Sequence, residues 1–419
     1  MIRNDFLSVF HSAVAAVDPE SATMAAISVS GTDISFDGTR FTNVTETPWV
    51  VAVGKGACAM ARGVASAVGP VRGIAVSDHV EESPVDVVVG GHPIPDDRSV
   101  AAGERLLRTV RSVAPDDLVV FCISGGGSAL AEVPVAGIDV SDVADLNRTL
   151  IASGLPIEAI NDVRSSISRI KGGRLAEACA SDRHVTLVLS DVVGAGPEAV
   201  ASGPSLGYGL GSVSDESIAM LADRGVSPAV VHALEASQPL QPEGDQPFVV
   251  IGSSVTSATG AVGALAERGI EARVWTSSLM GDVEEAVDGL IAQLGPAGTT
   301  SGEAVVATGE VTVRITGPSS GGALGGRNQH AALAAARRIQ GTDIVFGAFG
   351  TDGRDGPTDA AGAIVDGGTV ARMARKGVDV ADALATFTSY DALAASGDLV
   401  ICGPTGTNVA DLWMIGRQA

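Results

Sequence analysis

The sequence predicts a two-domain α/β protein: a larger N-terminal domain on a doubly wound parallel sheet and a smaller α/β C-terminal domain, with the active site in the cleft between them. Three observations carry that prediction. Short apolar runs alternate with stretches of helical periodicity, a polar proline-rich segment then interrupts the pattern, and the alternation restarts beyond it. With 419 residues, 45% of them hydrophobic, the chain has material for two cores. Aromatics are only 3%, so those cores must be built from Val, Ala, Leu and Ile.

Phe6, Val9, Phe10 and Val14 open the chain at helical spacing. Residues 50–53, 74–76, 85–89, 118–123 and 185–189 read as strands, because a near-continuous apolar run suits a parallel strand covered on both faces. Helical patterns lie between or after them at residues 57–68, 99–113, 140–152, 157–167 and 173–180, which makes the order Rossmann-like. Residues 237–247 carry Pro239, Pro242 and Pro247 among polar residues and read as a linker. The expected domains are therefore 1–240 and 247–419. In the second, residues 248–251, 256–268 and 271–275 form a fresh βαβ pattern. Residues 304–308 and 311–315 are expected to pair around Gly309 like a hairpin, followed by a helix at 328–339, a strand at 344–349 and a helix at 368–376.

The formal net charge is −22, with 49 Asp and Glu against 27 Lys and Arg. Nucleic acid and anionic membranes both demand clustered cations, so neither is an expected partner. No apolar run approaches membrane-spanning length, and the expected location is the cytoplasm. Cys58, Cys122, Cys179 and Cys402 show no metal-type spacing and read as small buried hydrophobes in a reducing compartment.

Only three of the cations are lysines, Lys55, Lys171 and Lys376. Lys55 lies between Gly54 and Gly56, after an apolar strand and before a helical run. Uncovered amides at a helix N-terminus favour an anion there, and a compact ammonium is a phosphate partner. The run Ser124-Gly125-Gly126-Gly127-Ser128 follows another strand and reads as a phosphate or carboxylate cradle. Asp191, at the end of the next strand, is a candidate for metal coordination, proton abstraction or helix capping. His92 sits in a Gly-Pro loop, where a general base and a hydrogen-bonded structural imidazole are alternatives. In the second domain, residues 321–329 put Gly325, Gly326, Arg327 and Asn328 at a helix start, an arrangement suited to phosphate oxygens. Gly350, Thr351 and Asp352 end a further strand, and Asn408 closes the last glycine-rich loop.

These segments together resemble the class II glycerate kinases, glycerate 2-kinases with a C-terminal domain named MOFRL. The resemblance runs in order through Gly54-Lys55-Gly56, Gly90-Gly91-His92-Pro93, the Ser124 to Ser128 run, Lys171-Gly172-Gly173-Arg174, Ser190-Asp191-Val192-Val193-Gly194, Ala201-Ser202-Gly203-Pro204, Gly325-Gly326-Arg327-Asn328, Gly350-Thr351-Asp352-Gly353 and Gly403-Pro404-Thr405-Gly406-Thr407-Asn408. The chain departs from the family's pattern at Ser165-Ser166 and Ala195-Gly196, both near the presumed cleft. The resemblance implies magnesium- and ATP-dependent phosphorylation of D-glycerate at its 2-hydroxyl, with a homodimer as the candidate assembly. It maps the family's essential lysine onto Lys55 and its glycine-loop arginine onto Arg327. Asp191 and Asp352 become candidate Mg2+ ligands, with Asp191 the better placed to orient the attacking hydroxyl. Lys55, His92, Arg164 and Lys171 form the expected substrate set, Arg164 or Lys171 facing the glycerate carboxylate. The glycine loops, with Thr351, Asn328 and Asn408, form the expected phosphate and nucleotide set. The competing functions are an NAD-dependent hydroxypyruvate reductase, against which a full Gly-x-Gly-x-x-Gly fingerprint is absent, and a non-catalytic sugar-phosphate-binding protein.

An acidic chain rich in arginine and almost without lysine fits either adaptation to brine or a GC-rich genome, and the first reading has a test. Screening of its self-repulsion then raises the melting temperature as potassium chloride approaches molar concentration, where the Debye length falls to about 3 Å. A melting temperature that stays flat or falls over that range removes the halophilic reading.

Overall fold

A computed structural model describes residues 2–207, 213–238, 246–294, 303–315 and 324–418. The chain divides into two compact units, one spanning Pro19–Ile251 and the other joining Met1–Asp18 to Gly252–Ala419.

The first unit contains a six-stranded sheet in the order Asp86–Val89, Arg72–Ser77, Trp49–Val53, Val119–Ser124, His184–Leu189 and Phe248–Gly252. The first five strands run parallel. All six residues of Val119–Ser124 are buried, as a central strand covered on both faces requires. Val53, Val76, Phe121 and Ile123 share a core with Leu106, Leu107 and Val110 of helix Asp97–Arg111. That helix starts where Asp96 accepts from the amides of Arg98 and Ser99, in a reciprocal capping box with Ser99. A separate apolar cluster joins Leu146, Leu150 and Val163 to Leu221, Val230 and Leu234, and so fixes helices Val140–Ile151 and Ile157–Ser166.

The second unit has a mixed sheet in the order Glu271–Leu279, Glu303–Gly309, Asp411–Arg417, Ile344–Gly350, Gly362–Asp366 and Leu399–Val400. Its first pair is parallel and the remainder antiparallel. Helix Ile2–Ala15 belongs to this unit, because Phe6, Val9 and Phe10 are fully buried beside Leu265, Phe349 and Met414.

Several local expectations differ from this arrangement. The division at 1–240 and 247–419 misplaces both ends: the opening helix packs into the C-terminal unit, and Phe248–Gly252 forms the edge of the first sheet. Residues 311–315 do not pair around Gly309. The antiparallel partner of Glu303–Gly309 is Asp411–Arg417, about a hundred residues on, and Thr312 makes only an isolated parallel bridge with Asp282. The helix expected at 173–180 is one turn, Arg174–Glu177. Residues 239–245 of the expected linker lie outside the described residues. A three-stranded antiparallel sheet, Ile27–Ser30, Asp33–Phe36 and Thr39–Phe41, was not anticipated, because each strand is only three or four residues long.

Lys171 is also placed differently. Expected at the substrate carboxylate, it is buried to 1% exposure against Glu132, equally buried, with which it forms an ion pair. Burial pulls its pKa below the ordinary lysine range, while Glu132 opposes that shift. The pair is therefore a structural element with no surface left for a substrate. Glu132→Ala, which strands the ammonium, is expected to destabilise the first unit by about 3–5 kcal/mol, and the double change Lys171→Met with Glu132→Leu to recover most of it. Denaturant unfolding of the three proteins checks this.

Candidate active site

Three parallel strands of the first unit end together. Val53 pairs with Ile123, and Ser124 with Leu189, so the turns beginning at Gly54, Gly125 and Ser190 emerge side by side. The carboxyl edge of an open α/β sheet is where ligands bind. Two of the turns are tied to each other. Lys55 N donates to Gly125 O at 2.9 Å, and Gly56 N donates to Ser124 Oγ at 3.0 Å. Glycine is needed at position 54, where φ is +127° and a β-carbon would lie 2.2 Å from Ser124 Oγ. Lys55 is left exposed at the start of helix Ala57–Val68, whose N-cap, Gly56, has no side chain to occupy the first amides.

The glycines at 125 and 126 let the other groups approach. A β-carbon on Gly125 would fall 2.0 Å from Asp191 Oδ2, and one on Gly126 would fall 3.3 Å from both the His92 ring and Lys55 Cγ. Asp191, His92 and Lys55 therefore flank one short backbone segment. The protein around the His92 ring, and next the Lys55 ammonium, lower its pKa, with Asp78 pulling the other way. The neutral imidazole is thereby favoured.

His92, Gly126 and Asp191 border a cleft of about 200 Å³, completed by Ser128, Asn161, Arg164 and Ser202. Arg164 donates from Nε to Asn147 Oδ1 at 2.9 Å. Burial lowers its pKa while Glu132 raises it, but Glu132 is already paired with Lys171. Among the described residues no carboxylate forms an ion pair with Arg164. A half-buried guanidinium facing a small polar cleft, bonded through Nε to a neutral amide, has donors left that could meet an anion. Ser124, expected to bind phosphate, is instead 1% exposed, with its oxygen accepting from Gly56. Ser128 does face the cleft. Asn147, Asn161 and Ser202 were not singled out from sequence as site residues, although Ser202 lies within a segment used for the resemblance.

The second unit holds a larger pocket, about 580 Å³, lined in part by Gly325, Gly326, Arg327, Gly350, Asp352 and Asn408. That volume lies within the roughly 300–1,000 Å³ usual for ligand sites. Arg327 is not free. It donates from Nε to Asp411 Oδ2 at 2.5 Å and from Nη2 to Asp411 Oδ1 at 3.1 Å, while Nη1 pairs with Glu310. Burial pushes the Asp411 carboxyl up to about 7 against the pull of Arg327, and burial also lowers the Arg327 pKa, but Asp411 and Glu310 together outweigh it and leave that pKa raised.

The amides expected to hold phosphate at the start of helix Arg327–Arg338 already have an acid. Asp355, 3% exposed, accepts from Asn328 N at 3.0 Å and from Gln329 N at 2.7 Å. The Asn328 side chain is consumed between Asp355 Oδ1 and Trp413 Nε1, at 3.3 and 2.8 Å. Thr351 is buried too, its hydroxyl donating to Ala410 O at 2.5 Å and accepting from Val409 N at 3.0 Å. Asn328 and Thr351 therefore serve the scaffold rather than a nucleotide. Asp352 stays on the pocket wall and accepts from Arg354 N at 3.0 Å. Among the described residues no group of three His, Cys, Asp or Glu side chains is arranged to hold a metal ion, and no helix is long and apolar enough to cross a membrane.

Residues 5–235 match a domain of unknown function, DUF4147, and residues 303–411 match the MOFRL family. A glycerate 2-kinase of Pyrococcus horikoshii is 35% identical over 97% of this chain and 96% of its own length. The chain belongs to the MOFRL glycerate kinase family. The crystal structure of a glycerate kinase from Thermotoga maritima superimposes with a TM-score of 0.84 at 30% identity, covering 99% of each chain. The family also includes a putative hydroxypyruvate reductase of Agrobacterium vitis, 34% identical over 87% of this chain and 97% of its own. The family's two-domain α/β fold is the one described above, with the MOFRL match in the C-terminal unit.

Gly125→Ala is expected to lower kcat by about 10²-fold, because its methyl group occupies the space of Asp191 and displaces the carboxylate by an ångström or more. The melting temperature is expected to change little, since the loop is at the sheet edge. Unchanged turnover in the folded variant separates Asp191 from the chemistry.

Proposed function

We propose that this chain transfers the γ-phosphoryl group of ATP to the 2-hydroxyl of D-glycerate, giving 2-phosphoglycerate and ADP. The observation that carries the reading is the small cleft at the strand ends, where Arg164 forms no ion pair with a carboxylate among the described residues and Lys55 and Asp191 flank the same glycine loop. A cleft of about 200 Å³ suits a small hydroxy acid, with Arg164 facing its carboxylate and His92 at the rim. Asp191 takes the proton of the 2-hydroxyl as its oxygen bonds to the γ-phosphorus and the bond from phosphorus to the ADP oxygen breaks. Lys55 stabilises charge on the phosphoryl oxygens in flight.

The pocket around Arg327 has the size for the nucleotide. An incoming phosphate competes with the half-exposed Glu310 for Nη1, while buried Asp411 holds the other edge of the guanidinium. The carboxylates Asp191 and Asp352 fit a Mg2+ ion held mainly by nucleotide phosphates and water, and such an ion neutralises phosphate charge.

One observation favours the reductase. The first turn reads Gly54-Lys55-Gly56-Ala57-Cys58-Ala59, which fits the Gly-x-Gly-x-x-Ala form of the dinucleotide fingerprint, and Asp78 follows the neighbouring strand. Against it, the Gly56 amide that would meet a pyrophosphate is taken by Ser124 Oγ, and Ser124 fills the space beside Gly54. Incubation with D-glycerate and MgATP is expected to form a product that enolase dehydrates directly, whereas hydroxypyruvate with NADH leaves the NADH unconsumed. The reverse pattern overturns the kinase reading.

Lys55→Ala is expected to lower kcat by roughly 10²-fold or more, with D-glycerate affinity changed far less, because the lost interaction belongs to the transition state. Lys55→Arg restores the charge without the compact geometry, and steady-state kinetics should place it between the two. Near-wild-type turnover in Lys55→Ala reduces the lysine to a solvated turn residue.

A further inference from the structure

A chain of hydrogen bonds behind the small cleft has a defined direction. Asn161 Nδ2 donates to Ala199 O at 3.2 Å, and a backbone carbonyl can only accept, so Asn161 presents its oxygen on the other side. Ser202 Oγ donates to that oxygen at 2.9 Å. A hydroxyl has a single proton. At the 3.0 Å contact between Ser128 Oγ and Ser202 Oγ the donor must therefore be Ser128. Asn161 and Ser202 are each 1% exposed, which shields the relay from competing water. Ser128 lines the cleft with its proton spent inward, leaving only lone pairs for a ligand.

The backbone holds this arrangement at a cost. Ala201 and Ser202 have φ of +55° and +60°, two consecutive non-glycine residues in the left-handed region that L side chains rarely adopt. Glycine in place of Ser202 would relax the backbone, so the serine is present for its hydroxyl.

We propose that Ser202 is a positioning residue that fixes Ser128 as a hydrogen-bond acceptor for the non-reacting hydroxyl of the acid substrate, selecting a 2,3-dihydroxy acid over one lacking the 3-hydroxyl. This rests on the glycerate kinase reading. The attacking 2-hydroxyl must surrender its proton to Asp191, so an acceptor-only group in the same cleft is matched by a hydroxyl that keeps its proton. D-glycerate supplies one at carbon 3. D-lactate puts a methyl group there and leaves the Ser128 lone pairs unsatisfied, the kind of mismatch that discriminates substrates most strongly.

The test compares the affinities of D-glycerate and D-lactate, read by calorimetry and by competitive inhibition, in wild type, Ser202→Gly and Ser128→Ala. Wild type is expected to prefer D-glycerate by about tenfold or more. Ser202→Gly should keep or raise the melting temperature, because glycine suits the backbone, yet reduce that preference several-fold. Ser128→Ala should bring the ratio near one. A preference unchanged in folded Ser128→Ala, or in Ser202→Gly, overturns the proposal. Wild type that fails to phosphorylate D-glycerate overturns the kinase reading instead, and the calorimetric ratio still decides the role of the two serines.

Discussion

The hydrogen bond from the Gly56 amide to the Ser124 hydroxyl is the constraint on which the candidate active site depends. Ser124 is the last residue of the central strand, and its side chain crosses to the turn that follows Trp49–Val53. With the Lys55 amide bound to Gly125 O, it makes two turns from separate strands into one rigid element. Only glycine tolerates position 54 against Ser124, and only a residue without a side chain at 125 leaves room for Asp191. Backbone geometry thus places Lys55 at the turn and leaves its side chain exposed.

Keeping a cation available in a chain of net charge −22 is a problem of local exclusion. Glu132 is withdrawn from Arg164 by Lys171, so the guanidinium meets an uncharged partner, Asn147, and keeps capacity for an anion. Arg327 follows the opposite strategy. Buried Asp411 grips it on one edge and exposed Glu310 on the other, which orients the fork and leaves a displaceable contact. Asp355 similarly quiets the start of helix Arg327–Arg338, an end that uncapped would attract any anion.

Much of the first unit was legible because its signals are local. The apolar runs at residues 50–53, 118–123 and 185–189 are too continuous to face water, and the corresponding strands differ from them by no more than a residue at either end. Lys55 between two glycines, at a strand-to-helix junction, was visible for the same reason. The central strand of the second unit, Asp411–Arg417, was not. Its partners Glu303–Gly309 and Ile344–Gly350 lie about a hundred and about seventy residues away, and nothing near position 411 announces them.

Sequence alone determined the parallel strands at residues 50–53, 118–123 and 185–189, which loops carry glycine, and which family the motifs resemble, since each depends on residue type and short-range spacing. Tertiary structure decided what the polar side chains are used for. Lys171, Asn328 and Thr351 look like ligand residues in their motifs, yet folding brings Glu132, Asp355 and the Ala410 carbonyl to them and satisfies them internally. Ser202 reverses the case, an unremarked serine whose single proton runs toward Asn161 and so sets the orientation of Ser128. The reason is the same throughout. A buried polar group must find a partner, and that partner is supplied by chain far away in sequence.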